Sequence, residues 1–182
     1  MTIRSDWRKR IILGAAGGFI GTLAIQALLT ASQRWLPNTV PPLRQNPGEF
    51  MVKTGEEAPP DSMRRRIPQV VETGAAQTLA VGYGLTFGGL YALLRPKGGP
   101  PFVEGVILGI VNWAAGYLGW LPALGLMPPV WRQKTPQAIA PIAEHALYGI
   151  VTVAMYDWLR EWVQDYTWRS RKTRRPWRVI SV

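Results

Sequence analysis

Four segments of about 20 residues are almost free of charged side chains, and they constrain this chain more than any other feature. They are 11–31, 74–94, 102–121 and 139–159. A run of about 20 apolar residues is the length at which an α-helix crosses a hydrocarbon core about 30 Å thick. Four such runs within 182 residues predict one all-α membrane domain over 1–182, with four transmembrane helices in an antiparallel bundle.

Small residues, and one amide, repeat along one face of each apolar segment. In segment 102–121 they are separated by steps of four or three residues, which places them on one side of a helix: Gly105, Gly109, Asn112, Gly116 and Gly119. The other segments contribute Gly14, Gly18, Gly84, Gly88 and Gly149. Small side chains let two backbones approach closely in lipid, where the hydrophobic effect does not bring helices together. We therefore expect all of these positions to lie at helix contacts.

Asn112 is the one amide in its segment, and it falls near the predicted centre of the membrane. An amide at this depth is stabilised by hydrogen bonds across helices. We expect Asn112 to hydrogen-bond to a neighbouring helix or to a bound cofactor. We also expect leucine at Gly109 or Gly116 to break the assembly.

Basic residues are concentrated on one side of the predicted membrane. With four spans, both termini and the turn 95–101 lie on the same side, and they carry 13 of the 21 Lys and Arg residues. Lys and Arg are enriched in cytoplasmic segments of membrane proteins. The distribution predicts a membrane protein with both termini in the cytoplasm, whereas the run Arg64–Arg66 beside the second segment favours the opposite orientation.

Two connections are too long for tight turns. The proline-rich connection 32–73 is expected to end in a short helix on the membrane surface, from residue 61 or 62 to 71. The connection 119–137 contains Trp120, Trp131 and four prolines, which predicts an ordered lid with aromatic anchors at the interface.

Charged residues near the ends of the spans are expected to be paired. Glu104 and Asp157 lie near the predicted cytoplasmic end, within reach of Arg95, Lys97 or Arg160. Because an isolated charge is costly in the membrane, we expect interfacial ion pairs here.

A second set of polar residues lies at similar depth on the opposite side: Gln26, Gln77, Glu144 and His145. We expect these four to form one polar cluster. A histidine beside a carboxylate can move protons near neutral pH, and a lone membrane histidine can ligate the metal of haem or chlorophyll. Adjacent helical residues point about 100° apart, however, so Glu144 and His145 cannot face the same partner. Structural hydrogen bonding, proton or solute handling, and pigment ligation by His145 all stay open.

Enzyme chemistry is not indicated. With one His and no Cys, the sequence does not favour a transition-metal site built only from protein ligands. The chain also has no phosphate-binding loop, nucleophile triad or paired-carboxylate pattern outside the spans. The net charge of +10 arises next to apolar segments, which favours membrane lipids over nucleic acid.

The segment 160–182 forms a basic C-terminal tail. Its densest cluster is Arg169, Arg171, Lys172, Arg174 and Arg175. Such a cluster directly after a membrane helix predicts binding to anionic lipid headgroups or to a partner subunit.

Two segments resemble small bacterial inner-membrane proteins of the YagU-like kind. They are the glycine-rich run Gly14-Ala-Ala-Gly-Gly-Phe-Ile-Gly-Thr-Leu-Ala, followed by the exit Trp35-Leu36-Pro37, and the later run Glu144-His-Ala-Leu-Tyr-Gly149. The resemblance implies a four-helix inner-membrane protein without an established reaction. The leading hypothesis is a non-enzymatic accessory or scaffold subunit that packs against other membrane proteins. It is suggested by glycine faces on every span and by the basic amphipathic end of the fourth helix.

Overall fold

A computed structural model describes residues 6–44, 49–50, 53–54, 69–95 and 99–173. Four long helices account for most of them: α1 (Trp7–Trp35), α2 (Gln69–Leu94), α3 (Pro101–Ala114) and α4 (Thr135–Thr173). A π-helical turn, Ala115–Trp120, and one further α-turn, Leu121–Ala123, continue α3. No strand occurs in the described ranges, so the all-α class is confirmed there.

Within the part of the chain that the structure describes, three helices have the length and apolar composition of membrane spans: Trp7–Trp35, Pro101–Ala123 and Thr135–Tyr166. They contain the predicted segments 11–31, 102–121 and 139–159. Segment 74–94 is helical as predicted and forms most of α2, but it is not among the three. Glycines, threonines and Gln77 lower the hydropathy of this segment.

The predictions for the surface helix and for the C-terminal tail have different outcomes. Residues 61–68, the main part of the predicted surface helix, lie outside the described residues, and Gln69–Val71 belong to the start of α2. After the last predicted span, α4 does not end but continues as helix to Thr173. The first half of the predicted tail is therefore an extension of the fourth helix.

Glycines set the distance between α1 and its two neighbours. A Cβ atom at Gly14 or Gly18 would collide with the carbonyl oxygen of Gly88 or Gly84, which shows that α1 and α2 run antiparallel in close contact. On an adjacent face of α1, a Cβ atom at Gly17 would lie 2.6 Å from the carbonyl oxygen of Thr152 in α4. Contact at this distance needs glycine, because any larger side chain pushes the backbones apart.

The third close contact joins α3 to α4. Cβ atoms at Gly105 and Gly109 would meet the backbone of α4 at Ile150 and His145, and one at Gly149 would meet the carbonyl oxygen of Gly105. The helices therefore pack in the order α2, α1, α4, α3. Although α2 and α3 are consecutive in the chain, each packs mainly against a different partner.

The prediction for Gly116 and Gly119 is corrected by the π-helical turn. A Cβ atom at Gly116 would be no nearer than 3.7 Å to the Leu121 side chain, and one at Gly119 would lie 3.7 Å from the Ala114 carbonyl oxygen. Both are ordinary contacts within the same segment. A π-turn holds more residues than an α-turn, so residues after Ala114 rotate away from the face of Gly105 and Gly109. Gly119 has non-helical backbone angles and marks a kink.

Charged residues hold the helix ends near the start of α1. The buried guanidinium of Arg10 donates hydrogen bonds to the carbonyl oxygens of Ala92 (2.9 Å from Nε) and Leu93, so it caps the C-terminal end of α2. The predicted pairing of Glu104 is confirmed with Arg95. The Tyr91 hydroxyl also donates to Glu104, at 2.5 Å.

The other predicted ion pair is also confirmed: Asp157 lies 3.0 Å from Arg160 within α4. The Arg160 guanidinium also lies over the Tyr156 ring, 5.7 Å from its centroid. The carboxylates of Glu104 and Asp157 are therefore each paired with an arginine, one across helices and one along α4, which lowers the cost of a charge near the membrane.

Large apolar side chains cover the outside of the helices between two aromatic levels. Exposed examples are Ile12, Phe19, Leu23, Leu79, Leu90, Ile107, Ile110 and Val111. Exposed tryptophans lie at the ends: Trp7, Trp158 and Trp162 at one, Trp35 and Trp131 at the other. Tryptophan at two levels around an apolar surface is typical of the two interfaces of a membrane.

Alanine at two glycines of α3 tests this packing. We expect Gly109→Ala to lose about 1–3 kcal/mol of stability because its methyl group meets the α4 backbone. Gly116→Ala should keep the native stability or gain up to about 1 kcal/mol, since alanine is the better helix former. Thermal unfolding in mild detergent, followed by circular dichroism, measures both. Equal losses would contradict the different placement of the two glycines.

Candidate functional site

The Glu144 cluster, which we define as Ser32, Tyr117, Glu144 and His145, is the strongest candidate for chemistry. Glu144 and His145 lie one turn after Pro141, which is buried inside α4. Because they are adjacent in a helix, they point to different neighbours. Glu144 meets Ser32 at the end of α1, and His145 meets Tyr117 in the π-turn.

Glu144 is a buried carboxylate with one free oxygen. Glu144 is only 4% exposed, and its carboxylate lies beside the Ser32 side chain. Its Oε2 makes no hydrogen bond within the described part of the chain. Tyr117 is near enough to interact electrostatically with this carboxylate. A carboxyl group held this way is costly as an anion in the membrane, and it can take up a proton.

His145 is held by its own helix and by Tyr117. Its Nδ1 lies 2.7 Å from the Pro141 carbonyl oxygen. Because a carbonyl oxygen only accepts, Nδ1 carries the proton and donates, and Nε2 keeps a lone pair in the neutral ring. The ring makes an edge contact with Tyr117, with centroids 5.5 Å apart and planes at 82°. The hydrogen bond to Pro141 therefore favours the neutral tautomer of His145 that carries its proton on Nδ1.

A folded lid packs beside Tyr117, as predicted for connection 119–137. Tyr117, Leu121, Leu126 and Met127 form one buried apolar group. The chain reverses at Gly125, whose φ of 70° is left-handed and favours glycine. The amide of Leu126 then bonds back to the carbonyl oxygen of Leu121, at 3.0 Å. This reversal places Leu126 and Met127 against the π-turn.

The lid is also tied to the long connection. The amide of Arg44 donates to the Leu126 carbonyl oxygen, at 2.9 Å. The short 3-10 turn Pro37–Thr39 packs against α4. The end of the molecule that carries the Glu144 cluster is therefore ordered by two separate loops.

The four polar residues do not form the single cluster that the sequence predicts. Gln26 and Gln77 instead bond to each other across α1 and α2, with Nε2 of Gln26 3.3 Å from Oε1 of Gln77, on an exposed surface. Gln26 lies on the α2 face of α1, whereas Glu144 contacts α1 at Ser32. The face that a residue occupies matters as much as its depth, and depth alone was the basis of the prediction.

Asn112 takes part in a buried network that the sequence only partly predicted. The Tyr148 hydroxyl donates to the carbonyl oxygen of Gly84, at 2.7 Å, and interacts with the Asn112 side chain. Tyr83 also approaches the Asn112 carbonyl oxygen, at 3.4 Å. The network joins α2, α3 and α4. The hydrogen bond from Tyr83 reaches the backbone of Asn112, so the hydrogen bond expected from the Asn112 side chain to a neighbouring helix stays a prediction. Tyr148 was missed as a site residue, although it directly precedes the packing residue Gly149.

The basic tail is only partly described. Arg169, Arg171 and Lys172 lie on the helical extension of α4, but their side chains are outside the described part. Arg174 and Arg175 lie outside the described residues altogether. Their predicted contact with anionic lipid or a partner stays a prediction.

Within the described residues, no group of three or more His, Asp or Glu side chains is placed to hold a metal ion. Comparison with protein-family models, curated proteins and solved structures finds no match to the chain. The resemblance to YagU-like proteins therefore stays a prediction.

Two alternatives from the sequence also stay predictions. Proton handling is favoured by the free Oε2 of Glu144, and proton flux through Glu144→Gln in proteoliposomes would test it. Pigment ligation would use Nε2 of His145, and a colourless purified protein would exclude it.

Two tyrosine-to-phenylalanine substitutions distinguish the contribution of the hydrogen-bond network to stability from the contribution of burying a tyrosine ring. Tyr148→Phe leaves the Gly84 carbonyl oxygen and the Asn112 amide without this partner, so we expect a loss of about 0.6–1.7 kcal/mol. Tyr156 is equally buried, but its hydroxyl makes no hydrogen bond within the described chain. We expect Tyr156→Phe to be neutral or stabilising. Unfolding in detergent distinguishes the two, and a neutral Tyr148→Phe would show that the network contributes nothing.

Proposed function

We propose that the chain is a four-span protein of the bacterial inner membrane with both termini in the cytoplasm. The fourth span would be α2, which lies along α1 through the pairs Gly14–Gly88 and Gly18–Gly84. The Gln26–Gln77 bond continues this contact toward the other end. The orientation rests on the excess of Lys and Arg beside the termini.

We further propose that it works as a non-enzymatic accessory or scaffold subunit, with a partner helix docked on α2. The docking surface, here called the α2 outer face, consists of Gly74, Gln77, Thr78 and Gly82. The observation that carries the proposal is the empty space on this face. Among the described residues, no atom lies within 4 Å of a Cβ placed at Gly74 or Gly82. At the glycines that face α1 or α4, such as Gly88 and Gly109, the same space is occupied by the backbone of the neighbouring helix.

The exposed amides of Gln26 and Gln77 also favour a partner helix on this face. Gln77 is exposed, and its bond to Gln26 uses only part of the hydrogen-bonding capacity of the two amides. In lipid, unsatisfied polar groups are costly, and small faces with nearby amides favour helix association. Thr78 already donates to the Gly74 carbonyl oxygen, at 2.9 Å. The partner expected here is a membrane helix with small residues and a polar side chain that reaches Gln77.

Single cysteines test the membrane arrangement, because the natural chain has none. We expect Thr54→Cys and Lys134→Cys to react with an impermeant maleimide on intact spheroplasts. Pro100→Cys and Asp165→Cys should react only after the membrane is permeabilised. All four positions are exposed. Equal labelling of Thr54→Cys and Pro100→Cys would show that α2 does not cross the membrane.

Leucine at Gly82 tests the docking surface. The tagged protein would be expressed at native levels and purified in mild detergent, and the co-purifying membrane proteins identified. We expect Gly82→Leu to reduce the principal partner at least about tenfold, since a bulky side chain prevents close helix approach. Gly89→Leu, about two turns later on the same helix, adds the same side chain outside the docking surface; provided that this variant folds, it should keep the partner. A native chain that runs as a monomer with no partner would overturn the proposal.

A further inference from the structure

A shallow apolar groove runs along the surface between α1 and α2. Its volume is about 220 Å³, and its lining residues are Ile11, Leu85, Thr86, Gly89, Leu90 and Leu93. The absence of a side chain at Gly89 keeps the groove open, since a Cβ atom there would lie 3.5 Å from Cγ2 of Ile11. The Thr86 hydroxyl donates to the Gly82 carbonyl oxygen, at 2.8 Å, so its polar atom is satisfied by its own helix.

The dimensions and position of the groove suit one acyl chain. From Leu85 to Leu93 the helix rises about 12 Å, close to the roughly 15 Å of one leaflet in a hydrocarbon core of about 30 Å. The groove lies at the end of the molecule where α1 begins and α2 ends. Its outer edge is formed by Leu90 and Leu93, both exposed. Lipid hydrocarbon is the natural neighbour of such an edge.

An available cation lies at the mouth of the groove. Trp7 and Arg8 are one turn before Ile11 on the same side of α1. The Arg8 guanidinium stacks on the exposed Trp7 ring, 5.3 Å from its centroid, and makes no ion pair within the described residues. The neighbouring basic residues are already engaged: Lys9 pairs with Asp6 at 3.4 Å, and Arg10 caps α2.

We propose that this groove binds an anionic phospholipid, with one acyl chain along Gly89 and the phosphate on Arg8 beside Trp7. An interfacial tryptophan with an exposed arginine complements an anionic headgroup. The proposal rests on the proposed membrane insertion of α1 and α2. It does not depend on the α2 outer face, which lies nearer the other end of α2. It is also separate from the basic tail, because Arg8 and the groove are on α1 and α2.

Native mass spectrometry of the delipidated full-length protein tests the site. The protein in mild detergent would be titrated with dioleoylphosphatidylglycerol or with dioleoylphosphatidylcholine. We expect one phosphatidylglycerol to bind at least about fivefold more tightly than phosphatidylcholine, the scale of one basic residue at an anionic surface. Arg8→Gln should remove this preference. Gly89→Leu fills the groove and should weaken both lipids severalfold.

Two matched variants separate this site from general lipid adhesion. Arg132→Gln removes one exposed positive charge at the other end of the molecule, and Gly82→Leu adds the same side chain outside the groove; both should bind phosphatidylglycerol normally. If Gly89→Leu unfolds, Thr86→Phe fills the groove from an exposed position. Equal binding of the two lipids, an equal effect of Arg132→Gln and Arg8→Gln, or full binding by the filled-groove variant would overturn the proposal.

Failure of the lipid site can be distinguished from failure of the proposed accessory function. Gly82→Leu should lose the protein partner and retain the lipid, whereas Gly89→Leu should do the reverse. A missing partner with an intact phosphatidylglycerol preference would overturn only the accessory role. Cysteine labelling that places both ends of α2 on one side would instead remove the membrane insertion on which the lipid site rests.

Discussion

Direct backbone contact at glycine is the interaction on which the rest of the structure depends. Gly14 and Gly18 bring α1 against α2, and Gly17 brings it against α4. The same principle joins α3 to α4 at Gly109. Two neighbouring faces of one helix therefore set two interhelical distances. The Tyr148 hydroxyl can reach the Gly84 carbonyl oxygen on another helix only because these distances are short.

Buried polar groups divide into two kinds once this packing is in place. Asn112 and Tyr148 belong to a network whose partners come from three helices, and this network can contribute to stability. Glu144 is different, because its carboxylate lies beside Ser32 and its Oε2 is buried without a hydrogen bond in the described chain. A group left in this condition adds little to folding. Among the described residues, Glu144 is therefore the position to test first for chemistry.

The helices and most of their contact faces could be predicted from local pattern. Apolar length predicted where helices form, and steps of four and three residues predicted the faces of Gly105, Gly109 and Asn112. The prediction was wrong after Ala114 because it assumed one α-helical period throughout. The π-turn shifts that period, which moves Gly116 and Gly119 off the face. The prediction also grouped Gln26 and Gln77 with Glu144 because all three lie at a similar depth along the spans. In the structure Gln26 and Gln77 bond to each other between α1 and α2, away from Glu144.

By itself the sequence determined the apolar helices, their glycine faces and the ion pairs at the helix ends, since these follow from residue type and helical period. Only the tertiary structure decided which face meets which helix. It paired α2 with α1 and α3 with α4, and it used Arg10 as a cap for another helix. It also left the face of α2 at Gly74 and Gly82 without a neighbour among the described residues. These outcomes depend on close contacts between residues far apart in the chain, and the helical period carries no information about such partners.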